Sequence, residues 1–116
     1  MKEFPKFMRN SANAIDAASQ SMGVEGWVYD GVDGSQMAFW QCRQDGVSLE
    51  HVHDYDEYLV VVDGKYMLIL GDKKIPLKAG EEYMIPKGTR HAGEFTKGTR
   101  TTHAFGGKRA RRASER

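Results

Sequence analysis

Three of the four histidines in this 116-residue chain stand where they could share one ion with a carboxylate. His51 and His53 are two positions apart, so on a β-strand both side chains project from one face. Glu57 follows four residues later with the same parity. Far along the chain, Pro86-Lys87-Gly88-Thr89-Arg90-His91 reads as a tight loop that delivers another imidazole. Imidazole nitrogens plus a carboxylate oxygen form a mixed donor set suited to one divalent transition metal ion, with Fe, Mn, Ni and Zn all compatible. Four protein ligands on an octahedral ion leave room for water, a bidentate hydroxy- or keto-acid, or dioxygen.

The elements that must hold these residues read as short strands. The segments 24–30, 35–43, 47–53, 57–63, 65–70, 74–77, 82–85 and 99–105 are rich in β-branched and aromatic residues, and glycine-containing turns separate most of them. Asp63-Gly64 and Gly71-Asp72 are hairpin signals. Frequent turns and no convincing long helix predict an all-β sandwich or barrel. Ser11–Gln20 is rich in alanine but lacks an apolar stripe, so it is read as an irregular N-terminal arm or one short helix.

The bulk numbers narrow the class. With 40% hydrophobic and 28% charged residues, the chain is ordinary for a globular protein, and its length suits one domain. No apolar run reaches the roughly 20 residues that span a bilayer. The start, Met1-Lys2-Glu3-Phe4-Pro5, carries no secretory pattern, and the single cysteine, Cys42, fits a reducing cytoplasm. The formal charge is +1, but five basic residues against Glu115 give residues 108–116 a charge of +4 and leave −3 for the rest. That tail is expected to be solvated and disordered. It has no interleaved aromatic residues, which speaks against nucleic acid as a partner.

Glycines bracket the ligand candidates in a specific order. Gly46 precedes His51-Val52-His53, Glu57 and Gly64, and a second run holds Gly80, Pro86-Lys87-Gly88 and His91. These two motifs resemble those of the cupin superfamily. The spacer from Gly46 to His51 is one residue short of the usual pattern, and Phe95 stands where the second motif has Asn. The resemblance implies a single-domain jelly-roll β-barrel over residues 1–116, with its core at about 24–106 and a flexible basic tail at 107–116. It implies His51, His53, Glu57 and His91 as metal ligands, and a homodimer. The exposed apolar content of 24–30 and 35–42 agrees with pairing, since an uncovered strand edge invites it. The function implied is that of a metal-dependent enzyme acting on a small oxygen-rich acid or sugar derivative. Isomerase, lyase and dioxygenase chemistry all stay open. The alternative is a non-catalytic protein that binds or senses a small ligand.

Other residues are candidates for the surroundings of the metal. His103, on the late strand with Thr101 and Phe105, could face inward and act as a general acid or base. Met37, Phe39 and Gln41 alternate on a strand expected to line the barrel, which makes Gln41 a polar contact for a ligand. Tyr83 could offer a phenol. Arg100, and Arg90 with it, could grip a carboxylate. Tyr58 is expected to face outward, and Cys42 to be a buried small hydrophobe.

Overall fold

The computed structural model describes residues 1–17 and 20–115. Nine strands follow in order: β1 (Val24–Asp30), β2 (Gln36–Cys42), β3 (Gly46–Val47), β4 (Glu57–Asp63), β5 (Lys65–Leu70), β6 (Lys73–Lys78), β7 (Glu82–Ile85), β8 (Ala92–Phe95) and β9 (Arg100–Phe105). They form two antiparallel sheets, one in the order β1-β2-β9-β4-β7 and the other β3-β8-β5-β6. This is a jelly-roll β fold. The crossovers that put β9 between β2 and β4 bring residues distant in sequence onto one wall.

Alternation along the strands decides what faces inward. In β4, Glu57, Leu59 and Val61 are buried while Tyr58 is exposed, so the tyrosine is outward as expected. In β9, Thr101, His103 and Phe105 take the inner face. Among the described residues the core has two apolar clusters. One gathers Ile15, Val28, Ala38, Trp40, Phe105 and Ala110, and the other Leu59, Val61, Leu68, Leu77 and Ile85. Leu59, Val61 and Leu68 are fully enclosed. Removing such a leucine would cost about 2–5 kcal/mol.

The N-terminal arm is irregular, one of the two forms expected, while the C-terminal tail departs from expectation. Ser11–Gln20 forms no α-helix among the described residues. Ser11–Asn13 makes one 3-10 turn, Ala14 bridges to Trp27, and Ala18 and Ser19 lie outside the described residues. The tail expected to be solvated is instead docked over residues 109–113. Gln36 is buried in β2, and its Oε1 accepts from the backbone amides of Arg109 (2.7 Å) and Ala110 (2.9 Å). Arg112 binds Asp30 at 2.6 Å and the Val28 carbonyl at 2.9 Å, and Arg111 meets the buried Asp16 at 3.0 Å. Ala110 is only 2% exposed. The basic residues thus find fixed acids and carbonyls, and the alanine between them fills the core.

Candidate metal centre

The segment His51–His53 is not the regular strand its alternation suggested. β3 ends at Val47, and His51 makes only an isolated bridge with His91. That bridge is reciprocal: His51 N–H donates to the His91 carbonyl at 2.7 Å, and His91 N–H to the His51 carbonyl at 2.9 Å. Gly88 N–H adds a bond to the His53 carbonyl at 2.9 Å. Gly88 has φ +80, a left-handed conformation in which a side chain would be strained, so the Pro86-Lys87-Gly88 turn closes over the histidine segment. Main-chain bonds therefore fix the distance between the two motifs.

Glu57 reaches the same place from the start of β4. Its Oε1 lies 3.2 Å from His91 Nε2 and 3.4 Å from His53 Nε2. One ligand atom from each of His53, Glu57 and His91 falls within 4.8 Å of the others. Glu57 Oε1 and His53 Nε2 are buried without a hydrogen-bond partner. Buried polar atoms without partners are rare and costly, and a cation on this nitrogen and oxygen set would satisfy both. The residues present therefore fit a metal ion. His51 lines the same cavity but stands outside that closest group, its ring centroid 5.8 Å from His53 and 6.1 Å from His91.

Neighbouring groups aim these ligands. His91 Nδ1–H donates to the Thr89 carbonyl at 3.0 Å, which leaves Nε2 for the centre. His53 Nδ1 shares a 3.2 Å bond with the Tyr55 hydroxyl. His103 Nδ1–H donates to Glu57 Oε2 at 2.8 Å, and its Nε2 meets the Thr101 hydroxyl at 3.0 Å. Register explains the contact: Leu59 pairs with His103, so Glu57, two residues earlier, is its diagonal neighbour.

The electrostatics agree with a site for a cation. Burial works against a charged Glu57, but the hydrogen bond from His103 and the His53 and His91 rings outweigh it and hold its carboxyl below the usual range. Burial, and then the charge of Arg109, push His51 down to about 4. Burial also opposes protonation of His91, yet the Glu57 carboxylate 3.2 Å away and the bond to the Thr89 carbonyl raise it above the ordinary value. The cavity over the centre is about 350 Å³.

Comparison with known proteins follows the same lines. The family model "Cupin domain" (Cupin_2) matches residues 39–105, over half of the chain. The chain belongs to the cupin family. Among curated proteins none matches it. Solved structures similar to this cupin include KdgF from Halomonas sp., with TM-score 0.68, 17% identity, and coverage of 88% of this chain and 90% of that one. An RmlC-like cupin from Shewanella frigidimarina NCIMB 400 gives TM-score 0.69 at 15% identity, covering 81% of this chain and 82% of that one. An oxalate oxidase gives TM-score 0.65 at 19% identity, covering 86% of this chain and 59% of that one. At these identities the likeness is one of fold.

Four residues expected near a ligand in this cupin lie elsewhere. Gln41 is buried on the other side of β2, where its Oε1 accepts from Phe4 N–H at 2.7 Å. The inner face of β2 belongs to Ala38, Trp40 and Cys42, so the expected parity of Met37, Phe39 and Gln41 is reversed. Arg100 likewise points away, with Phe4 5.0 Å from its guanidinium and the Met1 carbonyl at 3.0 Å. Tyr83 packs against the Leu59 cluster. Arg90 is exposed beside Glu50 at 3.4 Å. His103 does line the cavity, as do Cys42 and Tyr66. Burial pushes the Cys42 thiol up to about 12 and raises the Tyr66 phenol, so both stay protonated. Sequence reasoning missed Arg109, which also lines the cavity. Its signal was a basic residue beside a small apolar one, Ala110, in a tail read as solvated.

Proposed function

We propose that this cupin is a metal-dependent enzyme acting on a small oxygen-rich acid, with His51, His53, Glu57 and His91 as ligands to one divalent transition metal ion. The observation that carries the reading is the pair of partnerless buried atoms, Glu57 Oε1 and His53 Nε2, turned with His91 Nε2 toward one point beneath an open cavity. A metal bound there supplies Lewis acidity to an oxygen of the ligand. The chain's own residues do the rest. Main-chain bonds fix His51 against His91. His103 holds a proton on Nδ1 and directs Glu57 Oε2 away from the centre, so Oε1 faces it. In place of the acid–base role expected from sequence, His103 is assigned as a positioning residue. Trp40, Phe95 and Phe105 provide apolar walls that exclude water from the bound ligand.

One observation favours a second reading, that of a non-catalytic binder. Both ring nitrogens of His103 are already engaged, so it is not poised to exchange a proton with a ligand. The homodimer and the cytoplasmic location also belong to this proposal. Met37, Tyr58 and Met84 lie in one row across the outer face of the β1-containing sheet, each at least 37% exposed, and sedimentation velocity checks whether copies pair.

Elemental analysis tests the centre. Protein loaded with Mn, Fe, Ni or Zn and desalted should retain about one ion per chain. His53→Ala with Glu57→Ala should retain none, and retention would overturn the assignment. His103→Gln should keep the ion with about ten- to hundredfold lower affinity. Incubating loaded protein with hydroxy acids and sugar acids, followed by NMR, separates the two readings. Bound but unchanged ligand establishes the binder.

A further inference from the structure

Tyr66 belongs to the cavity and takes no part in the metal centre. It points inward from β5, its ring T-shaped to His103 with 6.3 Å between centroids and packed against the Leu59 cluster. Its oxygen rests over Gly93 of β8, and a Cβ at that glycine would collide with it. Buried residues alternate as His91, Gly93 and Phe95, so Gly93 is the next inward position after a metal ligand. The hydroxyl thus fills the place that a side chain beside His91 would have taken, about 6.5 Å further along the strand. The Gly93 amide and carbonyl beneath it are both engaged by Ser48, at 2.9 and 2.8 Å. Among the described residues nothing accepts the Tyr66 proton. Burial, and then the charge of Glu57, raise the phenol above its ordinary range, so it keeps that proton.

We infer that the Tyr66 hydroxyl is a specificity-determining donor that selects polyhydroxy acids: it meets an oxygen on the carbon next to the two oxygens that chelate the metal. This rests on the metal centre proposed above. A phenol that has lost water and has no acceptor forfeits a hydrogen bond, and a ligand oxygen restores it. The ring is wedged between His103 and Gly93, so the donor is in place before a ligand arrives and costs little ordering. Trp40, Phe95 and Phe105 are apolar walls of the same cavity, against which a ligand oxygen would lose its water without replacement. A methyl group opposite Tyr66 leaves the hydroxyl unanswered, whereas a hydroxyl there accepts its proton. Ligands are thereby sorted by the group on that carbon.

Glycerate and lactate, compared as matched enantiomers, test this. Both carry an α-hydroxycarboxylate for the metal, and glycerate has a hydroxyl where lactate has only hydrogen on its methyl group. Calorimetric titration into Zn-loaded protein should give one enantiomer of glycerate about fivefold tighter binding than its lactate counterpart. Tyr66→Phe keeps the ring and removes the oxygen. It should bring glycerate down to the level of lactate and leave lactate affinity and zinc content nearly unchanged. Independently of how that variant folds, parent protein isotope-labelled at the tyrosine Cζ carbons should show one of its five tyrosine resonances move with glycerate and not with lactate. A parent that fails to hold zinc would refute the metal centre and this inference with it. A parent that holds zinc but binds both acids equally would overturn the role of Tyr66 alone. So would Tyr66→Phe protein that keeps the preference, or tyrosine resonances that respond alike to both acids.

Discussion

Glu57 uses its two oxygens for different partners. Oε2 accepts from His103, and Oε1 is turned to His53 and His91. The ligand candidates and the loop before His91 were legible from the two motifs, but the strand parity assumed for His51 and His53 was not met, because β3 ends at Val47 and His51 makes only a bridge to His91. The orientation of Glu57 by His103 was not legible, since it depends on β9 lying beside β4 with a particular register. The two histidines also differ in how they resist metal. Metal binding needs an unprotonated nitrogen. His51, held down to about 4, stays neutral through the neutral and mildly acid range. His91 is raised above the ordinary value, so in metal-free protein its proton competes with the ion from a higher pH. The sign is therefore fixed: affinity falls as pH falls through the raised range of His91. In the metal-free fold the protonated His91–Glu57 pair contributes stability below the ordinary histidine range, and this is lost as pH rises. The gain in melting temperature on adding zinc should thus be larger at pH 8 than at pH 5.5, as differential scanning fluorimetry with and without zinc would read.

At the scale of elements, β1, β4, β5 and β7 have the bounds their composition suggests. β2 has nearly the expected bounds but the reverse parity. Phe4 and the N-terminal arm cover Phe39 and Gln41, so both faces of β2 carry buried residues and alternation no longer marks the inside. β8 was not legible because Ala92-Gly93-Glu94-Phe95 is a weak strand former on its own. Gly93 sits there because the Tyr66 ring of β5 leaves no room for a side chain. The turn before His91 is where an element and the centre are most tightly linked. Gly88→Val would force a β-branched residue into φ +80 and loosen the bond to the His53 carbonyl. A loss of about 1–3 kcal/mol is expected by chemical denaturation, together with weaker zinc binding. Wild-type zinc affinity in a destabilised variant would show that the turn does not place His91.

For the whole molecule, the described ends of the chain meet along the edge of β1. Ile15 N–H binds the Gly26 carbonyl at 2.9 Å, Asp16 N–H the Arg111 carbonyl at 2.8 Å, and Ala113 N–H the Ala14 carbonyl at 2.9 Å. A run of basic residues near a chain end resembles a solvated tail unless its partners are known, and those partners are up to 99 positions away. Deleting residues 109–116 would strip Gln36 of its buried partners and uncover Ile15. The melting temperature should drop by roughly 5–15 °C, given about 1–3 kcal/mol for buried polar groups left unsatisfied. An unchanged melting curve would mean the docked segment adds nothing to stability.

Gln36 grasps the amides at positions 109 and 110, and amides are present whatever side chain stands at position 109. These two bonds do not depend on side-chain identity. The hold on this segment thus belongs to the main chain, and a substitution at position 109 leaves both amides in place to meet Gln36.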